Sequence, residues 1–133
     1  MSKFKWLILL MVLILVGCEN TESLEDSVNN RWAGVINGDL ENSYEYFSPG
    51  YKTTETIEAY KLRILTAQIN LQWKKGVYVN AVCEEETVCK VEVSLDYEYT
   101  FPKRSLGGVT AQTKLFENWI NLDGKWYLVP NEK

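Results

Sequence analysis

The chain contains no histidine among its 133 residues. Histidine is the usual general base near neutral pH and the commonest metal ligand, so its absence excludes the Ser-His-Asp mechanism and histidine-based metal sites. A phosphate-binding loop is also lacking, because Gly107-Gly108 is not followed by Lys-Ser or Lys-Thr. The sequence therefore argues against triad hydrolases and phosphate-loop nucleotide-binding proteins, and we expect no metal and no cofactor.

Basic residues are scarce as well. The chain carries 14 Lys and Arg against 18 Asp and Glu, for a net charge of −4. The only adjacent basic pairs are Lys74-Lys75 and Lys103-Arg104. Binding to nucleic acid requires a concentrated patch of basic side chains. We therefore expect no nucleic-acid partner.

One apolar run stands near the N-terminus. Residues 6–16 carry no charged or polar side chain and follow Lys3 and Lys5. Eleven residues are too few to cross a bilayer, which needs about 20. A basic start, a short apolar stretch and a small residue such as Gly17 are typical of a secretory signal.

The end of this run, Leu15-Val16-Gly17-Cys18, resembles the lipobox of bacterial lipoprotein precursors. The resemblance implies a signal peptide over residues 1–17, cleavage before Cys18, a diacylglyceryl group on its sulfur and an acylated amine. Several acyl chains hold a protein firmly on a membrane. Two alternatives are an ordinary signal peptide with an incidental cysteine and an uncleaved single-span anchor.

A mature chain starting at Cys18 would lose two lysines and carry a net charge of −6. Residues 18–23 would then form a polar, lipidated tether to a membrane of the bacterial cell envelope. Glu19 replaces the aspartate that retains enterobacterial precursors at the inner membrane. By this resemblance, the outer membrane facing the periplasm is favoured in a Gram-negative organism.

Two further cysteines, Cys83 and Cys89, flank an acidic segment at residues 84–88. Exported proteins occupy oxidising compartments, so a disulfide is the default expectation for such a pair. The two cysteines would face each other across a hairpin. Two free buried thiols are the alternative.

The periodicity of apolar residues changes once along the chain. Helical spacing predicts helices over residues 23–37, from residue 40 to the Ser48-Pro49-Gly50 turn, and from Thr53 or Thr54 to about residue 65. Alternation with period two then predicts strands over residues 69–73, 77–83, 90–101, 109–122 and 125–129, with a tight turn at Asp123-Gly124. Helices followed by an antiparallel meander define the α+β class.

Four segments within residues 24–130 resemble the NTF2-like, or cystatin-like cone, superfamily: residues 31–39, 44–51, 116–119 and 123–127. The resemblance implies a strongly bent antiparallel sheet wrapped around the helices, with a cone-shaped cavity between them. That fold hosts isomerases, cyclases, dehydratases and many non-enzymatic domains, so it does not define an activity.

The resemblance places aromatic residues near the cavity, as an amphipathic ligand would require. Aromatic side chains at such spacing usually pack in the core, so a ligand site is the alternative role for these residues, which are Trp32, Tyr44, Tyr97, Tyr99 and Trp119. Glu117 is the one candidate catalytic carboxylate, because it shares a strand face with Leu115 and Trp119. The opposite face carries Phe116, Ile120 and Leu122, so the sequence leaves the inward face open.

These observations favour a non-catalytic accessory or binding domain that contacts an envelope protein or a small apolar ligand. A cavity enzyme of the isomerase, cyclase or dehydratase type, using Glu117 and a tyrosine, is one alternative. A subunit of an envelope secretion or export assembly is another. A homodimer through the sheet is also expected, because apolar residues occupy both faces of the last strands.

Overall fold

The structure is a computed structural model that describes residues 21–131. The predicted signal peptide and Cys18 lie outside the described residues. Helices come first, and an antiparallel sheet follows, which confirms the predicted α+β class. The helices are α1 (Leu24–Asn37), α2 (Leu40–Glu45), α3 (Pro49–Lys52) and α4 (Ile57–Ala67). The strands are β1 (Leu71–Glu85), β2 (Val88–Thr100), β3 (Gly108–Leu122) and β4 (Lys125–Val129).

Local capping explains where the first helices begin and end. The Asp26 amide donates to Ser23 Oγ at 3.1 Å, which satisfies an otherwise unpaired donor of α1. Gly38 ends α1 in the left-handed conformation, with φ of 79°. The side chain of Asp39 accepts from the Asn42 amide and begins α2. These helix boundaries agree with the sequence prediction.

The next two helices differ from the prediction. Ser48 does not simply end a helix; its hydroxyl accepts from the Tyr51 amide and begins α3, with Pro49 at the first position. The hydroxyls of Thr53 and Thr54 donate back to carbonyls within α3. Because both threonines complete that turn, α4 begins later than predicted, with Thr56 as its cap.

The four strands form one antiparallel sheet in the order β1-β2-β3-β4. Two predicted strands at residues 69–73 and 77–83 are in fact the single strand β1. Its register against β2 shifts at three places, between Trp73 and Lys75, between Tyr78 and Asn80, and at Cys83. Such bulges bend a strand and interrupt the alternation of its side chains. The interrupted pattern is why the sequence reads as two strands.

Cys83 and Cys89 lie opposite each other in the β1–β2 register and form the predicted disulfide. The turn that joins the strands is shorter than the predicted acidic tip, because β1 extends to Glu85 and β2 starts at Val88. The bond closes a loop with a sequence separation of six. The disulfide therefore holds the two strands together at the end of this hairpin.

The double substitution Cys83→Ala and Cys89→Ala is expected to lower the free energy of unfolding by about 2 kcal/mol, because the short loop restricts the unfolded chain only modestly. Urea denaturation of mature protein would measure the loss. Reduced wild-type protein is the matched control and should unfold with the same midpoint as the variant. Identical midpoints for oxidised wild type and variant would contradict a stabilising disulfide.

The inner face of the sheet packs on α1, α2 and α4 to form the core. Gly76 of β1 provides one close approach, because a Cβ there would lie 2.8 Å from Trp32 Cγ. The ring of Trp32 packs edge-on against Trp73 in the same region. The core residues that are at least 98% buried include Val28, Val35, Phe47, Tyr60, Val91, Val93 and Trp119.

We expect Gly76→Ala to destabilise the domain by about 1–3 kcal/mol, the range for overpacking a filled core. The added methyl must displace Trp32, whose atoms lie nearer than a side chain tolerates. Gly50→Ala is the control, because a Cβ at Gly50 meets nothing within 4 Å. Thermal unfolding of both variants would test the contrast, and equal melting temperatures would refute it.

A short extended segment joins the helices to the far edge of the sheet. The Leu128 amide donates to the Tyr46 carbonyl at 2.7 Å, and the Ser48 amide donates to the Leu128 carbonyl at 2.9 Å. Phe47 thereby forms an isolated parallel bridge with Leu128 of β4. This connection fixes α2 and α3 beside the end of β4, where the candidate site lies.

Candidate functional site

Glu117 lies on the inner face of β3, between Leu115 and the fully buried Trp119. The neighbouring Phe116 points to the outer face and is 50% exposed. The structure thus answers the question that the sequence left open. Within residues 21–131, Glu117 is the only buried carboxylate.

Both carboxylate oxygens of Glu117 accept hydrogen bonds from α1. Arg31 Nη1 donates to Oε2 at 2.7 Å, and Trp32 Nε1 donates to Oε1 at 3.2 Å. The side chains of Arg31 and Glu117 are only 9% and 6% exposed. A buried charge pair of this kind holds two elements in one relative position, because either partner alone would be an uncompensated buried charge.

Aromatic rings enclose the guanidinium of Arg31. Its Cζ lies 4.9 Å from the centroid of the Trp32 ring and 5.6 Å from that of Phe47. These distances permit cation–π attraction. The buried Nε of Arg31 has no hydrogen-bond partner among the described residues. The aromatic contacts and Glu117 together therefore compensate this cation.

A second charge pair lies nearby. Arg63 on α4 donates from Nε and Nη2 to the two oxygens of Glu55 at 3.0 and 2.9 Å, and the Tyr51 hydroxyl also donates to Glu55. These hydrogen bonds raise the pKa of Arg63, and burial raises the pKa of Tyr51. The forked guanidinium of Arg63 donates to both oxygens of the Glu55 carboxylate, which fixes the orientation of that carboxylate.

A pocket of about 380 Å³ connects the two charge pairs. The pocket opens where β4 ends. The pairing of β3 with β4 covers only residues 118–122 of β3, so the residues of β3 before Asn118 have no partner on β4. The pocket lining combines apolar side chains such as Phe47 and Leu128 with the polar side chains of the two charge pairs, which is typical of sites for small amphipathic molecules. The lining residues are Arg31, Phe47, Tyr51, Glu55, Arg63, Leu115, Phe116, Glu117, Asn118, Leu128, Val129, Pro130 and Asn131.

The five aromatic residues considered for a ligand cavity or for core packing are dispersed. Trp32, Tyr44 and Trp119 are buried in the core, and Tyr97 and Tyr99 are partly buried further along β2. The Tyr44 hydroxyl donates to the Glu55 carbonyl at 2.6 Å. None of the five lines the 380 Å³ pocket. Trp32 borders a separate pocket of about 170 Å³ with Trp73.

Sequence reasoning found Glu117 but missed its charged neighbours. Arg31 belongs to a segment quoted for its family resemblance, yet nothing in the pattern linked it to Glu117, 86 positions away. Glu55 and Arg63 follow the spacing of exposed helix residues. A basic residue on the apolar stripe of α1 was the only available signal, and it is a weak one.

Two further features are absent from residues 21–131. No group of three or more Cys, Asp or Glu side chains in that range could hold a metal ion. No helix in the same range has the length and hydrophobicity needed to cross a membrane.

No family model matches the chain, and no curated protein matches it by sequence. Solved structures share the fold at low identity. A SEC-C motif protein from Rhodopseudomonas palustris aligns with a TM-score of 0.63 and 13% identity, over 83% of this chain and 77% of that one. A second SEC-C motif protein, from Psychrobacter arcticus, gives 0.60 and 14%, over 83% of this chain and 60% of that one.

A candidate polyketide cyclase from Pseudomonas putida aligns with a TM-score of 0.51 and 11% identity, over 83% of this chain and 92% of that one. At such identities the comparisons establish the fold only. The chain is thus an α+β domain in which helices pack on a bent antiparallel sheet.

Proposed function

We propose that this protein is a lipid-anchored lipoprotein of the bacterial envelope whose domain binds a ligand or partner without catalysis. The observation that carries the non-catalytic part is the state of Glu117. Arg31 and Trp32 occupy both of its carboxylate oxygens, so the one buried carboxylate of the described chain serves as an acceptor within the fold. These two hydrogen bonds hold β3 against α1, which supports a structural role for Glu117.

The pocket supports binding of a small amphipathic ligand. Its volume of about 380 Å³ lies within the range of about 300–1,000 Å³ that is common for small-molecule sites. Phe47, Leu115 and Leu128 would contact an apolar body, and Asn118 and Asn131 would bind a polar group at the rim. The two charge pairs balance, so the pocket does not select a strongly charged ligand.

The alternatives remain less well supported. A cavity enzyme of the type of the Pseudomonas putida neighbour would have to use Glu117 as its base while Arg31 and Trp32 donate to both of its carboxylate oxygens. Membership of an export assembly and a homodimer stay predictions. The outer sheet face favours a protein contact, because Val82, Phe116 and Leu122 are 69%, 50% and 43% exposed there.

The anchor is tested by Cys18→Ser in full-length protein expressed in a bacterial host. We expect the variant to leave the membrane fraction or to stay unprocessed, and to fail to incorporate labelled palmitate. Glu19→Gln is the matched control, because it keeps the lipobox and should remain anchored. Unchanged membrane retention with an unchanged intact mass for Cys18→Ser would refute the anchor.

The binding role is tested by Asn118→Trp, which fills the rim of the pocket from an exposed position. Thermal-shift screening of mature protein against amphipathic small molecules should give stabilising compounds, and the variant should lose that stabilisation. Thr110→Trp, at an exposed position of the same strand outside the pocket, is the control. Turnover of any bound compound that disappears with Glu117→Gln in a folded variant would refute the non-catalytic role.

A further inference from the structure

Both hairpin turns of the sheet lie at one end of the domain. The Asn121 amide donates to the Thr87 carbonyl at 2.8 Å, which holds the β1–β2 turn against the end of β3. The β3–β4 turn follows directly at Asp123 and Gly124, both with positive φ. We call this region, residues 84–88 and 121–125, the hairpin end.

The polypeptide enters the domain at the same end. A Cβ on Gly124 would lie 3.5 Å from Thr21 Cγ2. Glu22 accepts hydrogen bonds from the Tyr46 hydroxyl at 2.9 and 3.1 Å and from Asn30 Nδ2 at 2.9 Å. Tyr46 in turn packs edge-on against the buried Trp119. The entry point is therefore fixed to the core.

The protonation state of Tyr46 keeps this attachment intact. Burial, with the Glu22 carboxylate beside it, raises the pKa of Tyr46 to about 12. A phenol is protonated at neutral pH even at its ordinary pKa of about 10, so Tyr46 donates to Glu22 there. Ser23 adds a further fixed point, since its hydroxyl caps α1.

The chain between the predicted lipid and this entry point is short. Three residue steps from Cys18 to Thr21 reach at most about 11 Å, at about 3.6 Å per residue. β2 alone, with 13 residues, would extend about 40 Å if straight. The span available to the tether is thus much smaller than the length of the sheet.

We propose that the hairpin end rests on zwitterionic phospholipid headgroups, with the β2–β3 loop at residues 101–107 directed away from the membrane. This inference rests on the proposed lipid anchor. The short fixed entry brings the hairpin end to the membrane surface, and the opposite end, with Lys103 and Arg104, lies at the other end of the strands.

The charge of the hairpin end determines which kind of lipid headgroup it can approach. The hairpin end carries the exposed acidic side chains Glu84, Glu85, Glu86 and Asp123. Its lysine, Lys125, lies over the Tyr127 ring, 5.2 Å from the centroid. Anionic headgroups would repel such a surface within about a Debye length. Zwitterionic headgroups carry no net charge and permit close contact.

The test uses full-length lipidated protein with one introduced cysteine carrying a fluorophore, either Thr87→Cys at the hairpin end or Lys103→Cys in the distal loop. Native Cys83 and Cys89 are disulfide-bonded and Cys18 is acylated, so the reporter is the free thiol. Protein is reconstituted into phosphatidylcholine vesicles that contain a headgroup-quencher lipid. We expect at least threefold stronger quenching at position 87 than at position 103.

Two further arms examine the cause. Replacing 30% of the lipid with phosphatidylglycerol should at least halve quenching at position 87, and Glu84→Gln, Glu85→Gln and Glu86→Gln together should restore it. Twelve Gly/Ser residues inserted after Asn20 should lower quenching at position 87, because the tether no longer limits the distance. Stronger quenching on anionic vesicles would overturn the charge assignment.

The outcomes separate this proposal from the anchor. Protein that floats with vesicles but shows equal quenching at both positions overturns the orientation alone. Protein that fails to float while remaining folded overturns the anchor, and the orientation with it.

Discussion

Replacing Arg31 with leucine is expected to lower the free energy of unfolding by about 3–5 kcal/mol, because it leaves a buried carboxylate without its cation. Glu117 would keep a single donor, Trp32 Nε1 at 3.2 Å, for a side chain that is 6% exposed. Urea denaturation followed by tryptophan fluorescence would measure the loss.

Two controls show whether burial causes the effect. Lys61→Gln removes an ion pair with Glu41 that has the same 2.7 Å distance, but its side chains are 37% and 72% exposed. Its denaturation midpoint should scarcely change, because solvent screens such pairs. The double substitution Arg31→Leu and Glu117→Leu should regain most of the stability. A double variant as unstable as the single one would contradict this account.

Trp119→Ala is expected to cost about 3–5 kcal/mol, the range for truncating a large buried aromatic side chain. Trp119 is 0% exposed. It lies opposite Cys89 on one neighbouring strand and Leu128 on the other, so its removal leaves a cavity in the centre of the sheet. The shift in chemical denaturation midpoint would give the magnitude.

Phe116→Ala is the matched control for Trp119→Ala. Phe116 lies on the same strand with its side chain on the outer face, 50% exposed and near the Lys90 ammonium group. Its truncation leaves no internal cavity and should change stability by less than about 1 kcal/mol. Comparable losses for the two variants would show that β3 is not buried on one face only.

The sequence predicted those parts of the fold that depend on neighbouring residues. Ser23 and Gly38 bound α1 through local hydrogen bonds and φ, and Asp123-Gly124 forms its turn through positive φ at both positions. The β1 strand was misread because its bulges depend on pairing with β2, which no local pattern encodes. Alternation alone predicted β2 and β3 almost to their ends.

The candidate site was predictable only in part, because its residues come from distant segments. Glu117 was a candidate because it shares a strand face with Leu115 and Trp119. Its partner Arg31 and the pair of Glu55 and Arg63 meet only when α1 and α4 pack on the sheet. Of the five aromatic residues, Trp32, Tyr44 and Trp119 pack in the core, as their volume favours, and Tyr97 and Tyr99 lie further along β2, away from the pocket.

The bulges of β1 also bear on whether copies of this domain can pair through their sheet edges. β1 is an edge strand of 15 residues, and a long regular edge invites pairing with another chain. The register shifts leave regular stretches of only four residues, 75–78 and 80–83. A neighbouring copy thus meets no continuous row of backbone donors and acceptors, and this disfavours repeated edge-to-edge strand pairing.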